Sequence, residues 1–84
     1  MFEVHWRVAA SDEMARFIRE NPGRRWEFAY ALGFIEGRLS KNPLDEGESR
    51  EGDERVMFAD PLAVTFVVDQ TPGRAVVEGV RLTR

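Results

Sequence analysis

The sequence of 84 residues contains no cysteine, one histidine and one lysine. Without cysteine it can build neither a disulfide frame nor a thiolate metal site. A single imidazole, His5, cannot supply a histidine-based metal cluster. There is no apolar run near the roughly 20 residues that a membrane-spanning helix needs. The first eight residues, MFEVHWRV, mix an acid, bases and aromatics, which is not the pattern of a signal peptide. No repeat, linker or low-complexity tract is present. Glycine-rich phosphate loops are missing too, because Gly33 and Gly37 fall inside a helical pattern and Gly47 and Gly52 have no helix after them. The sole His has no evident Ser partner for a nucleophilic triad. These absences leave a single small domain, expected in the cytoplasm and expected to work without cofactor, metal or membrane.

What is there fits a packed core. Apolar residues make up 43% of the chain, including six Phe and two Trp, which argues against disorder. The net charge is −3, against the excess of bases usual in nucleic-acid binders. The charge is unevenly placed. Asp45, Glu46, Glu48, Glu51, Asp53 and Glu54 crowd one stretch in which Arg50 is the sole base. The rest of the chain is mildly basic. The acidic stretch lacks the spacing of an EF-hand, so it reads as a solvated loop or a docking site for a basic partner.

Periodicity gives the elements. Phe2, Val4, Trp6 and Val8 alternate with Glu3, His5 and Arg7, as in a half-buried strand. Ser11 is a good N-cap, followed by Asp12 and Glu13, where a helix dipole favours acids. Met14, Phe17 and Ile18 then share one helical face, and Asn21-Pro22-Gly23 stops the helix. A second helix is expected from Arg24 to Leu39, with Phe28, Leu32, Ile35 and Leu39 as its apolar stripe. Gly33 and Gly37 weaken that helix and are expected to allow close packing against the first helix or the sheet. Asn42-Pro43 ends it.

Val56 and Phe58 alternate with Arg55 and Met57. Leu62–Val68 reads as a central strand buried on both faces, and Ala75–Leu82 as the last strand. There Glu78 shares a face with Val76, Val80 and Leu82. It lies near an edge, pairs with an Arg, or marks a register shift through a bulge at Gly79. The order is β-α-α-β-β-β. The expected fold class is α+β in two layers, a helical hairpin packed on one face of an antiparallel sheet. The other face is expected to show Glu3, His5, Arg7, Arg55, Met57, Thr65 and Arg81.

This order, together with several segments, resembles the RelE/ParE superfamily of bacterial toxins over nearly the whole chain. The segments are FEVHWRV, the helix exit Leu39-Ser40-Lys41-Asn42-Pro43, GESR at Gly47–Arg50, the strands RVMF and LAVTFVV, and the ending VRLTR. The resemblance implies the toxin of a type II toxin–antitoxin pair, with a cognate antitoxin as partner. RelE-like members cut mRNA on the ribosome, and ParE-like members poison DNA gyrase. In the RelE-like case, basic residues on the open sheet face stabilise charge at the scissile phosphate. By position, Arg81 falls near the last-strand Arg of that set, and Arg55 near its basic residues on the second strand. Arg50 in GESR is the third candidate. Two departures stand out: Leu62 occupies the third-strand Arg position, and no Tyr or His follows the last strand.

Each candidate has an ordinary reading beside the catalytic one. Arg81 could be a strand residue whose stem covers apolar surface. Arg55, near six acids, is expected to form a local ion pair, and Arg50 to close its loop. His5 is expected to be a surface histidine, with proton transfer beside Glu3 or Arg7 the lesser reading. Trp26, Tyr30 and Phe34 lie at i, i+4 and i+8 on the second helix. They are expected in the core, with antitoxin contact as the alternative. A non-catalytic interaction domain on the same fold is the competing function class.

Overall fold

The computed structural model describes all 84 residues. Strand β1 spans Glu3–Trp6, helix α1 Val8–Glu20 and helix α2 Arg25–Lys41. Four strands follow: β2 (Glu48–Ser49), β3 (Arg55–Ala59), β4 (Leu62–Asp69) and β5 (Arg74–Leu82). Short 3-10 turns at Pro22–Arg24 and Pro43–Asp45 flank α2, each opening on a proline whose missing N–H costs nothing at a first helical position.

The five strands form one sheet in the order β1-β5-β4-β3-β2. The sheet is mixed, which corrects the all-antiparallel expectation. β2, β3, β4 and β5 pair antiparallel, but β1 runs parallel to β5, with Val4 beside Ala75 and Trp6 beside Val77. The two helices between β1 and the later strands act as a crossover, the kind of connection that parallel neighbours require. The acidic stretch is not wholly a loop. Glu48 and Ser49 pair with Val56 and Arg55 as a two-residue edge strand.

Helix α1 begins three residues before Ser11. Arg7 is the N-cap in extended conformation, and the Ser11 N–H already donates to the Arg7 carbonyl. Ala9 and Ala10 are strong helix formers, and Ala10 is buried, so helix wins over a capped start at Ser11. Val8, expected on the inner face of β1, is therefore an exposed helical residue.

The core lies between the helices and one sheet face. Phe28, Ile35 and Leu39 of α2 and Met14 and Phe17 of α1 meet Met57, Leu62, Val64, Phe66, Ala75 and Val77. Met57 is thus a core residue, not one of the open face. Its neighbours Val56 and Phe58 point the other way, as alternation along β3 requires.

A bulge divides β5. Thr65 pairs with Gly79 while Phe66 pairs with Val77, leaving Glu78 as the extra residue. Before the bulge, Ala75 and Val77 face the helices; after it, Val80 and Leu82 do. The carboxylate of Glu78 accepts from Nε of Arg7 at 3.0 Å. Two of the three sequence readings of Glu78, bulge and Arg partner, hold together.

Candidate functional site

The sheet face away from the helices follows from strand alternation and the bulge. Across its middle, Phe58, Ala63 and Arg81 sit level on three adjacent strands. Val56, Thr65 and Gly79 form the next row, in a shallow hollow with Arg81 at its end. Gly79 is small for a reason: a Cβ there would come within 2.9 Å of the Thr65 hydroxyl. The Arg81 guanidinium lies 5.7 Å from the centre of the Phe58 ring, a cation–π distance. It makes no ion pair, and Phe58 is 56% exposed. Phe58 is thus an exposed aromatic beside one free cation, while Val56 and Ala63 are buried.

The three arginines singled out in the sequence do not meet. Arg55 shares its strand parity with Met57, so it leaves the sheet on the helix side, opposite to Arg81. Its Nη1 donates to the Glu46 carbonyl at 3.2 Å. It pins the turn after α2, and its partner is a carbonyl, not the carboxylate that was expected. Arg50 follows the edge strand β2, fully two strands beyond β4. Its side chain is exposed and unpaired; the loop is closed by its backbone N–H donating to the Glu54 carbonyl at 2.8 Å.

His5 also stands apart. It is level with Val76, four rungs of the sheet from Arg81 once the bulge is allowed for, or about 13 Å along the strand. Its ring contacts Glu3 at 3.0 Å, and this hydrogen bond, with the imidazole's charge, holds the Glu3 carboxyl below its usual range. A proton-transfer role at Arg81 is out of its reach. No group of three His, Asp or Glu side chains is arranged to hold a metal ion. No helix is long and apolar enough to cross a membrane.

A second feature lies on the helical side, and the sequence reading missed it. α1 packs over β5 and α2 over β1 and β3. The groove between them holds about 360 Å³ and is lined by Trp6, Met14, Ala15, Ile18 and Leu32, with Ser11 and Glu36 polar. The Trp6 indole N–H is enclosed in the domain without an acceptor. The available sequence signal was Leu32 and Ile18, each on the apolar stripe yet at its margin.

The aromatic ladder on α2 overturns the core expectation. Trp26 is 79% and Tyr30 83% exposed, and Phe34 is 43% exposed. Gly33 and Gly37 share that outer face. A Cβ added at either meets nothing within 4 Å, so neither glycine serves close packing inside the domain.

No protein-family model matches the sequence, and no curated protein is similar to it. Among solved structures, a chain of the toxin–antitoxin complex RelBE2 from Mycobacterium tuberculosis superposes with a TM-score of 0.73. Identity there is 19%, over 96% of this chain and 90% of that one. A chain of the chromosomal ParDE toxin–antitoxin system of P. aeruginosa gives 0.76 at 12% identity, over 100% and 98% of the two chains. Such identities carry the fold and leave chemistry open. Two helices on a five-stranded mixed sheet are thus the RelE/ParE-like fold found in the RelBE2 and ParDE toxin–antitoxin complexes.

Proposed function

We propose that the chain is the toxin of a bacterial type II toxin–antitoxin pair, acting in the cytoplasm by docking on a protein target in the ParE-like manner. The observation that carries this reading is the open sheet face. It presents the exposed Phe58 beside an unpaired cation, Arg81, while the neighbouring Val56 and Ala63 are buried. Stabilising a developing phosphate charge takes several preorganised donors aimed at one point. Here Arg55 leaves from the other face, and Arg50 and His5 lie far along the sheet. An exposed aromatic beside an unpaired Arg is instead the composition of a protein-binding hot spot. DNA gyrase is the target that the ParE resemblance suggests.

The antitoxin would lie in the groove between α1 and α2. An apolar segment fills the space between Ile18 and Leu32, with Ser11 and Glu36 as the polar groups within its reach. The ribosome-dependent mRNA endonuclease remains the second reading, because Arg81 is unpaired on the last strand of the open face.

Induced expression in a bacterial host tests both. The expected result is growth arrest with gyrase-dependent DNA breaks and intact mRNA, relieved by Phe58→Ser and by Arg81→Ala. mRNA cut within translating ribosomes would establish the second reading. Folded protein without arrest would leave a non-catalytic interaction domain. Co-expression of the small protein encoded beside the gene is expected to restore growth, and to fail for the Leu32→Arg toxin.

A further inference from the structure

The outer face of α2 touches nothing else in the domain, yet it carries three aromatic side chains. Trp26, Tyr30 and Phe34 form a ladder, and Gly33 and Gly37 lie beside it. A shallow hollow opens over Gly33, walled by Ala29, Tyr30 and Phe34. We infer that this face pairs with the same face of a second copy of this chain, helix against helix, antiparallel across a two-fold axis.

The argument is that the face complements itself. A two-fold axis passing between Ala31 and Leu32 brings Trp26 of one copy level with Gly37 of the other. The same axis brings Tyr30 level with Gly33. Trp26 and Tyr30 then each meet a glycine, while Phe34 lies to one side, on the flank with Arg38. An isologous interface needs this property, since one patch must serve as both knob and seat.

Charge agrees with the same register. Glu27 and Arg38 lie on one flank of the face, and a perpendicular two-fold sets this flank against its copy. Glu27 of one chain then lies two residues, about 3 Å, from the level of Arg38 in the other. Neither charge is buried inside its own domain. Glu27 bonds Arg24 at 2.8 Å, and Arg38 reaches Glu46 at 3.4 Å. Both remain partly open to solvent and able to accept a further partner.

The area suffices for a weak, specific dimer. Aromatic side chains bury about 150–250 Å² each, so the three, as exposed here, supply roughly 500 Å² per copy. The total of about 1,000 Å² is near the lower limit for a biological interface. The pairing leaves the open sheet face and the α1–α2 groove free. It therefore stands or falls separately from the toxin reading.

The test uses the full chain in sedimentation equilibrium over a wide range of concentrations, with Gly37→Leu and Trp26→Ala beside the wild type. Gly37→Leu is the decisive variant. Its new side chain enters open space in the single domain and improves the helix, but it fills the seat of Trp26 in the pair. The expected result is a concentration-dependent dimer for the wild type, weakened at least tenfold in both variants. The melting temperature of the isolated Gly37→Leu domain should be unchanged or higher. A wild type that stays monomeric overturns the proposal, even where the face proves to bind another protein. A dimer that persists in Gly37→Leu overturns it as well.

Discussion

Asp60 shows how single residues hold the end of the sheet. Its carboxylate accepts from the Thr83 hydroxyl at 2.6 Å and from Nε of Arg84 at 2.8 Å. Arg24 in turn donates to the Arg84 carbonyl at 3.0 Å. These bonds tie the residues after β5 to the β3–β4 turn and to the start of α2. The Thr83 hydrogen bond, and then Arg84, hold the Asp60 carboxyl below its ordinary value. A group depressed in this way adds stability that is fully present above its unfolded value and is lost as pH falls through the folded one. The tether should therefore survive mild acid and open only below the usual carboxylate range. A carboxyl NMR titration should place the Asp60 midpoint below that of a free aspartate, and Thr83→Val should move it back up. A midpoint unmoved by Thr83→Val would remove the stated cause.

Elements depend on two local devices in the sheet. Gly47 turns the chain into β2 with a φ of 71°, and a Cβ there would collide with the Val56 carbonyl. The left-handed conformation alone costs a residue with a side chain about 1–2 kcal/mol. Gly47→Ala should lower the urea midpoint by at least that equivalent, whereas Gly33→Ala, on an open helical surface, should raise it. The second device is the bulge at Glu78. It turns Arg81 to the open face and Val80 and Leu82 to the core. Were Glu78 paired in regular alternation, these three residues would exchange faces, because a one-residue slip moves a strand's side chains to the other side of the sheet. Deletion of Glu78 joins Val77 directly to Gly79, keeps Arg81, Val80 and Leu82 on their present faces, and should leave a cooperative unfolding transition. Glu78→Ala, which keeps the residue count and loses only the exposed pair with Arg7, should cost no more than about 1 kcal/mol. Loss of cooperative unfolding on deletion would show that the bulge itself, and not the faces it sets, is what the sheet needs.

The whole molecule rests on one thin core. Phe28 of α2 and Phe66 of β4 are both fully buried in it. Replacing a buried Phe by Ala costs about 3–5 kcal/mol. A domain of this size has a total stability of roughly 4–12 kcal/mol at ordinary per-residue values. Phe66→Ala should therefore leave much of the protein unfolded at 37 °C, while Phe66→Leu should fold. Circular dichroism melts of the two variants check this. The same thinness explains the exposed aromatics. With only two helices, one face of α2 suffices to cover its part of the sheet, and the ladder on the opposite side has nothing left to pack on.

Patterns of short range were legible in the chain itself. The helical stripe Phe28–Leu39, the buried strand Leu62–Val68 and the awkwardness of Glu78 all follow from local periodicity, and the structure keeps each of them. So does the two-layer class. Three matters could not be read locally, and tertiary packing decided them. The parallel pairing of β1 with β5 depends on where a strand docks after 67 intervening residues. The face taken by Arg55 and Met57 depends on the pairing of β3 with β4, since alternation alone defines two faces without saying which meets the helices. The exposure of Trp26, Tyr30 and Phe34 depends on how many layers cover α2. An apolar residue is drawn inward only when there is an inside on its side of the helix, and this fold provides one on a single side.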